Sequence, residues 1–159
     1  MKPVFSTLWK EGHISASYID HTCLQGDTKE ECQVNVHETV NLFHSLGLVS
    51  HPEKSVLEPT QILIILGFEI NSINMTVKLT VEKVTRLFDV GQMLIQSTTT
   101  SIRSVAQVIA YMVASFPGVM FGPLYYRTIE KEKSLALKLH NGEYEAEMSL
   151  TKHAKQELQ

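Results

Sequence analysis

Hydrophobic and polar positions near the start of the chain follow first the spacing of a helix and then that of strands. Apolar side chains at helical spacing in residues 3–11 predict a short helix that ends at Gly12. Residues 13–27 then contain two short runs typical of strands, one on each side of Asp20-His21. A polar dipeptide between such runs predicts a β-hairpin with its tight bend at Asp20-His21.

The next stretch has the pattern of a longer helix. Asp27 and Glu30 are spaced as in a capping box, and they predict that the helix begins there. Apolar side chains recur as far as Leu46, and Gly47 is a natural stop. The predicted buried stripe consists of Cys32, Val36, Val40, Phe43 and Leu46. The residues predicted to lie mostly away from this stripe are Lys29, Glu30, Asn35, Glu38 and Asn41.

Strand patterns dominate the stretch that follows. Residues 48–49 predict a short strand, and residues 54–57 predict an extended segment. The unbroken apolar run of residues 62–66 predicts a buried strand. Residues 75–79 alternate between apolar and polar side chains, which predicts a half-buried strand that returns antiparallel after a turn. The chain up to residue 79 is therefore expected to form an α+β domain with an antiparallel sheet.

From Thr80 onward the patterns are those of helices only. Three helices are predicted, with starts at Thr80, Ser101 and Pro123. Residues 80–140 are therefore expected to form a small helical module, and residues 141–159 a polar, loosely attached tail. The side chains expected inside the module include Phe88, Leu94, Ile102, Ile109, Leu124, Ile129 and Leu135.

Composition limits the possible classes of protein. The hydrophobic fraction of 43% is enough for a core, and the charged fraction of 19% excludes a disordered chain. The net charge of -3 gives no overall basic signature for nucleic acid. The longest apolar run is far shorter than the ~20 residues needed to cross a bilayer, and the first residues lack a signal-peptide pattern. Cys23 and Cys32 lack the spacing of a zinc site. Because the sequence has no other cysteine, a disulfide framework is not indicated, and we expect the cytoplasm or the nucleus, without a membrane partner.

Asp20 is the first candidate for chemistry. A carboxylate at a hairpin tip is held rigidly and can serve as a metal ligand, but Asp is also common in turns, and the pattern alone favours an ordinary turn residue. The seven histidines do not form a ligand set. Lys54 is equally consistent with a phosphate contact and with a plain surface lysine. The basic side chains able to contact a nucleic-acid backbone are Lys78, Lys83, Arg86 and Arg103.

The order of several short motifs resembles the palm and thumb of a retrotransposon reverse transcriptase, an RNA-directed DNA polymerase. These motifs are Tyr18-Ile19-Asp20-His21, Gly47, Pro52-Glu53-Lys54-Ser55 and Leu66-Gly67-Phe68. The resemblance covers about residues 2–140. It implies an antiparallel palm over residues 1–79 and a thumb-like module over residues 80–140. It also implies nucleotidyltransferase chemistry with Mg²⁺, a template–primer duplex of RNA or DNA, and a deoxynucleoside triphosphate (dNTP).

The resemblance assigns roles residue by residue. In the family, one Asp comes from an earlier palm strand and two adjacent Asp residues come from the hairpin tip, and together they hold two divalent ions. Asp20 matches the first of the adjacent pair, as catalytic residue and metal ligand, and Tyr18 lies beside the primer end. Lys54 matches a lysine near the incoming triphosphate. The primer-gripping turn is matched by Leu66, Gly67 and Phe68.

The sequence departs from the family in two respects. His21 stands where the family has the second Asp, and an imidazole is a poor magnesium ligand without negative charge. The fingers and the earlier palm strand with its Asp precede the position of Lys2 in the family, and this sequence does not contain them. We therefore expect a truncated or decayed fragment that binds no Mg²⁺ productively and has no polymerase activity alone. The alternatives are a non-catalytic nucleic-acid-binding remnant and an α+β interaction domain.

Overall fold

The chain folds as a mixture of helices and small antiparallel sheets, which confirms the predicted α+β class. The computed structural model describes residues 2–159, with side chains from Val4 onward, and packing divides the chain into two compact units. The first unit runs through Leu66 and adds Asn71–Asn74, and the second contains Gly67–Ile70 and Met75–Gln159. Within residues 2–159, no helix is both long enough and apolar enough to span a membrane.

The first unit contains the predicted hairpin between two helices. Its elements are α1 (Lys2–Lys10), β1 (Ile14–Tyr18), β2 (His21–Gln25) and α2 (Lys29–Ser45). Strands β1 and β2 pair antiparallel, with Tyr18 opposite His21 at the tip and Ile14 opposite Gln25 at the open end. The hairpin is confirmed, but its bend lies at Ile19-Asp20 and not at Asp20-His21, because His21 is already paired with Tyr18.

An aromatic cluster forms the core between α1 and α2. Phe5 and Leu8 of α1 are almost fully buried. The Phe5 ring lies 6.2 Å from the Trp9 ring and 5.8 Å from the Phe43 ring, centroid to centroid. Aromatic pairs at these separations stabilise a fold beyond the area that they bury. The predicted first helix is thereby confirmed, together with the inward position of Phe43.

The start and the buried side of α2 differ from the prediction. Thr28, and not Asp27, is the N-cap, and its hydroxyl accepts a hydrogen bond from the Glu31 amide at 3.1 Å. The Glu31 carboxylate accepts a hydrogen bond at 3.1 Å from the Asp27 amide, which precedes the N-cap. The cap therefore lies one residue later than predicted, and its return contact reaches one residue further than in a regular capping box. Leu46 is exposed and Asn35 is buried, the reverse of the expectation. Apolar spacing failed here because α2 packs on strands through a partly polar face.

The middle of the chain is less buried than expected. Strands β3 (Ile62–Ile65), β4 (Phe68–Asn71) and β5 (Thr76–Leu79) form a sheet in that order, and residues 48–57 contain no strand. Ile64 is 66% exposed, so the prediction of a buried strand over residues 62–66 is wrong. Met75, the first apolar residue of the alternating run over residues 75–79, is 86% exposed. A continuous apolar run is buried only where both faces of a sheet are covered.

The second unit is mainly helical. Its further elements are α3 (Val81–Gln96), β6 (Thr100–Ser101), α4 (Ile102–Val113), α5 (Arg127–Leu139), β7 (Glu147–Met148) and α6 (Lys152–Glu157). The predicted caps are confirmed, since Thr80 accepts from the Lys83 amide at 3.4 Å and Ser101 from the Ser104 amide at 3.2 Å. The third predicted helix begins later, because Pro123 lies in a short 3₁₀ turn that precedes α5.

The core of the second unit joins α3, α4 and α5 with the end of the chain. Its buried members are Leu94, Ile102, Val105, Val108, Ile109, Ile129, Met148, Leu150 and Ala154. Phe88, Leu124 and Leu135, which were expected inside, are exposed. The helical faces are therefore narrower than their apolar patterns suggest.

The end of the chain is not a loosely attached tail, and that expectation is wrong. Strand β7 pairs with β6, with Met148 opposite Thr100. Met148, Leu150 and Ala154 are buried in the core of the second unit. Three buried side chains are too few to produce an apolar periodicity in the sequence. Together they nevertheless anchor the end of the chain in the core of the second unit.

Candidate functional site

The hairpin tip presents three side chains. Tyr18 ends β1, and Ile19 and Asp20 form the two-residue turn. Tyr18 and Ile19 are exposed, and the Asp20 side chain is 82% exposed. Ile19 adopts a left-handed φ of 55°, which is uncommon for a β-branched residue. Backbone strain of this kind persists only where its surroundings hold it, and it is most frequent at functional sites. The strained turn makes the tip the leading candidate site of the first unit.

Asp20 and His21 form a pair at the tip. The Asp20 Oδ1 atom lies 3.1 Å from the His21 Nδ1 atom. Because both side chains are well exposed, the pair contributes little to stability and holds neither group tightly. The carboxylate of Asp20 therefore remains accessible from solvent, beside the His21 imidazole.

Asn35 of α2 braces the open end of the hairpin. Its Nδ2 donates to the Ile14 carbonyl at 2.8 Å and to the Gln25 carbonyl at 2.9 Å, and its Oδ1 accepts from the Thr39 hydroxyl at 3.2 Å. Asn35 is 1% exposed. One amide thus ties both strands to the helix. Sequence analysis missed this residue, although Asn35 and Thr39 share a helix face with Val36 and could have signalled a buried polar pair.

Two cysteines mark a second close contact between β2 and α2. The Cys32 thiol lies 3.9 Å from the Leu24 carbonyl oxygen. A Cβ atom at Gly26 would lie 2.4 Å from the Cys32 backbone nitrogen, so only glycine fits there. Burial raises the pKa of the Cys23 thiol, and the neighbouring Cys32 raises it further. The hairpin is therefore seated closely on α2 at both Asn35 and Cys32.

Among the described residues, no hydrogen bond or ion pair joins Lys54 to the hairpin tip. It lies exposed in a turn, where its backbone amide donates to the His51 carbonyl at 3.2 Å. Its position is equally compatible with a phosphate contact and with a surface lysine, as it was in the sequence.

Gly67 and Phe68 belong to the second unit, where they pack with Lys83. The Lys83 Nζ atom lies 3.7 Å from the centroid of the Phe68 ring and donates to the Ala114 carbonyl at 2.8 Å. Burial lowers the pKa of Lys83. Leu66 and Gly67 both have left-handed φ values, 53° and 76°. A Cβ atom on Gly67 would lie 3.0 Å from Lys83 Cδ, so the glycine permits this packing.

The donor atoms at the tip do not fit a two-ion magnesium centre. Magnesium prefers several oxygen ligands in octahedral geometry, and the tip offers one carboxylate beside an imidazole. In the described part of the chain, no three His, Cys, Asp or Glu side chains converge on a position that could hold a metal. Asp20 is thus the one carboxylate that the tip presents.

No protein-family model matches the chain, and no curated protein or solved structure matches it either. The resemblance to reverse transcriptases therefore rests on the residues quoted for it.

Proposed function

We propose that this chain is the palm-hairpin and thumb-like portion of a retroelement reverse transcriptase domain, and that it does not catalyse nucleotidyl transfer alone. The observation that carries the proposal is the strained tip, on which Tyr18 and Asp20 flank a left-handed Ile19. The bracing of the open end by Asn35 supports it, because a catalytic carboxylate must be held in a fixed position.

The order of the elements is also consistent with the proposal. A hairpin is followed by a helix, then by short strands, and then by a helical unit, as in a palm that leads into a thumb. Under the proposal, Tyr18 contacts the primer end and Lys54 contacts the incoming triphosphate. The turn of Leu66, Gly67 and Phe68 then contacts the primer. Within the second unit, the Lys83 ammonium group supports Phe68 by lying over its ring.

The lack of catalysis follows from the donor set of the hairpin. Two magnesium ions, when bound, activate the primer hydroxyl and neutralise the triphosphate. Asp20 would be their ligand on this hairpin, and His21 adds no negative charge to hold a second ion. In the described residues before β1 the chain forms α1 and no strand.

A primer-extension assay tests the catalytic part of the proposal. The chain and its Asp20→Ala, His21→Asp and Asp27→Ala variants are compared with an RNA template in Mg²⁺ and in Mn²⁺. We expect no template-dependent incorporation by any of them. Incorporation that is lost in Asp20→Ala and kept in the control Asp27→Ala, a carboxylate beyond the hairpin, would overturn the claim of inactivity.

Ion binding tests the family assignment separately. Restoring an adjacent carboxylate pair in His21→Asp should increase the Mn²⁺-induced broadening of the Tyr18 and Ile19 NMR signals, and Asp20→Ala should abolish it. If His21→Asp binds Mn²⁺ no better than the unchanged chain, the tip is an ordinary turn and the assignment of Asp20 fails.

A non-catalytic nucleic-acid-binding function is the second candidate. It is favoured by Lys78 and Arg86, which are exposed, whereas Arg103 is paired with Glu145. Binding of an RNA–DNA hybrid, followed by fluorescence anisotropy, should weaken steeply with salt, and Arg86→Ala should weaken it for all sequences alike. Salt-independent or absent binding removes this candidate and favours a plain interaction domain. The exposed Met120 and Phe121 would then be candidates for its contact surface.

A further inference from the structure

Two carboxylates in the second unit each bind a threonine at the start of the other's helix. The Glu157 carboxylate of α6 accepts hydrogen bonds from the Thr128 amide at 3.0 Å and from the Thr128 hydroxyl. The Glu132 carboxylate of α5 accepts them from the Thr151 amide at 3.0 Å and from the Thr151 hydroxyl at 2.5 Å. The two contacts are chemically the same and point in opposite directions between α5 and α6.

Each contact supplies a hydrogen-bond acceptor to the start of the helix that it caps. The first amides of a helix have no partner within the helix, and a carboxylate there also favours the helix dipole. Tyr126, the N-cap of α5, makes no side-chain capping bond, so Glu157 supplies the missing acceptor. Thr151 is the N-cap of α6, and its hydroxyl accepts from the Ala154 amide while it donates to Glu132.

A third contact links α6 to the end of α3. The Lys155 Nζ atom donates to the Ile95 carbonyl at 2.9 Å and to the Ser97 carbonyl. These carbonyls lie at the C-terminal end of α3, where a cation is favourable. Ala154, on the same helix, is fully buried in the core that contains Leu94 and Ile129. Helix α6 therefore holds the start of α5 and the end of α3 at the same time.

Helix α6 depends on these contacts to exist. It has six residues, and helices of that length are unstable in water without tertiary contacts. Loss of the two caps would therefore remove its helical structure as well as its docking. Because each cap holds both helices in place for the other cap, breaking one weakens the second.

We propose that residues 147–157 form a latch that opens and closes as one cooperative piece on the helical unit. When the latch is closed, α6 caps α5, is capped by α5, and covers the core beside Ile129. When it opens, the start of α5 and the end of α3 lose their partners together, while α4 remains folded. The latch is a conformational device of the second unit and does not rest on the proposed function.

Hydrogen exchange measured by NMR on the full chain tests the latch. In the unchanged chain, the Thr128 amide and the amides of α6 should share one opening constant, larger than that of the central amides of α4. Glu132→Gln weakens only the cap on Thr151 directly. In a cooperative latch it should nevertheless increase opening at the distant Thr128 amide, by about tenfold for loss of a charged acceptor.

Glu130→Gln is the matched control. Glu130 lies on α5 and accepts hydrogen bonds from Lys133 and Ser134 of its own helix, so its neutralisation should leave Thr128 and α6 unchanged. If Glu132→Gln alters exchange only around Thr151 and leaves Thr128 unaffected, the caps are independent and the latch is refuted. The same conclusion follows if α6 and α4 open with one constant in the unchanged chain.

Discussion

Replacing Asn35 with alanine should loosen the hairpin strongly. The change removes two hydrogen bonds to the Ile14 and Gln25 carbonyls and the acceptor of the Thr39 hydroxyl. Each net hydrogen bond is worth about 0.5–1.5 kcal/mol, and a buried group left without a partner costs about 1–3 kcal/mol. We therefore expect the free energy of unfolding of the first unit to fall by about 2–4 kcal/mol.

The natural probe for this measurement is Trp9, the one tryptophan of the chain. It stacks on Phe5, and its indole nitrogen donates to the Ser15 hydroxyl at 2.8 Å, so its fluorescence should report unfolding of the first unit. Urea unfolding is followed at the Trp9 emission maximum for the unchanged chain and for Asn35→Ala. Asn41→Ala is the control, because Asn41 lies exposed on the same helix and its side-chain amide contacts the His37 ring.

The control separates loss of the brace from a general effect on α2. Asn41→Ala should change the unfolding free energy by less than about 0.5 kcal/mol, as surface substitutions usually do. If Asn35→Ala costs no more than this, the brace contributes nothing and the hairpin is held by the Cys32 contact and the aromatic core alone. Asn35→Asp should be worse than alanine, because a carboxylate cannot donate to the two carbonyls.

Four further substitutions probe the tip, its support and one matched turn elsewhere in the chain. Ile19→Gly should relieve left-handed strain and stabilise the first unit by about 1 kcal/mol in urea unfolding, while the matched Met75→Gly, at a φ of 51°, should do the same for its own turn. Gly26→Ala should destabilise by about 1–3 kcal/mol, because its Cβ would meet the Cys32 backbone nitrogen at 2.4 Å; an unchanged urea midpoint would contradict this. Alkylation of Cys23 by iodoacetamide, followed by mass spectrometry, should be slower in the folded than in the unfolded chain, because burial and Cys32 raise the thiol pKa. Cys32→Ser should therefore increase the alkylation rate of Cys23. An equal rate in the unchanged chain and in Cys32→Ser would exclude a contribution of Cys32 to the pKa of Cys23.

Features set by neighbouring residues could be predicted from the sequence. The caps at Thr80 and Ser101 depend on a hydroxyl and an amide three residues later, and both are confirmed. The hairpin is confirmed for the same reason, since its pairing is between adjacent runs. The caps on Thr128 and Thr151 could not be predicted, because Glu157 and Glu132 reach them from another helix.

Burial was harder to predict because it depends on partners far away in the chain. Ile64 lies in an apolar run and is exposed, whereas Asn35 is polar and almost fully buried. The rule for an unbroken apolar run assumes that both faces of the strand are covered. Helical apolar spacing cannot recognise a helix face that is held by hydrogen bonds to strand carbonyls, as at Asn35. The candidate site divides in the same way into local and distant features. Tyr18, Asp20 and His21 lie together because they are close neighbours in the sequence. The roles of the other site residues depend on the resemblance alone; these residues are Lys54, Leu66, Gly67 and Phe68.

The cost of Ile19 is the sharpest guide to what the tip does. A plain two-residue turn would favour Asn or Gly, which adopt left-handed φ with little penalty, so a β-branched residue at 55° is unfavourable for folding alone. Such a residue is understandable if its exposed side chain contacts a partner, as it would beside a primer end. Stabilisation in Ile19→Gly accompanied by weaker binding of an RNA–DNA hybrid would then show that the strain is retained for contact. Stabilisation without any loss of binding would leave the strained tip a structural accident and would remove the observation on which the polymerase assignment rests.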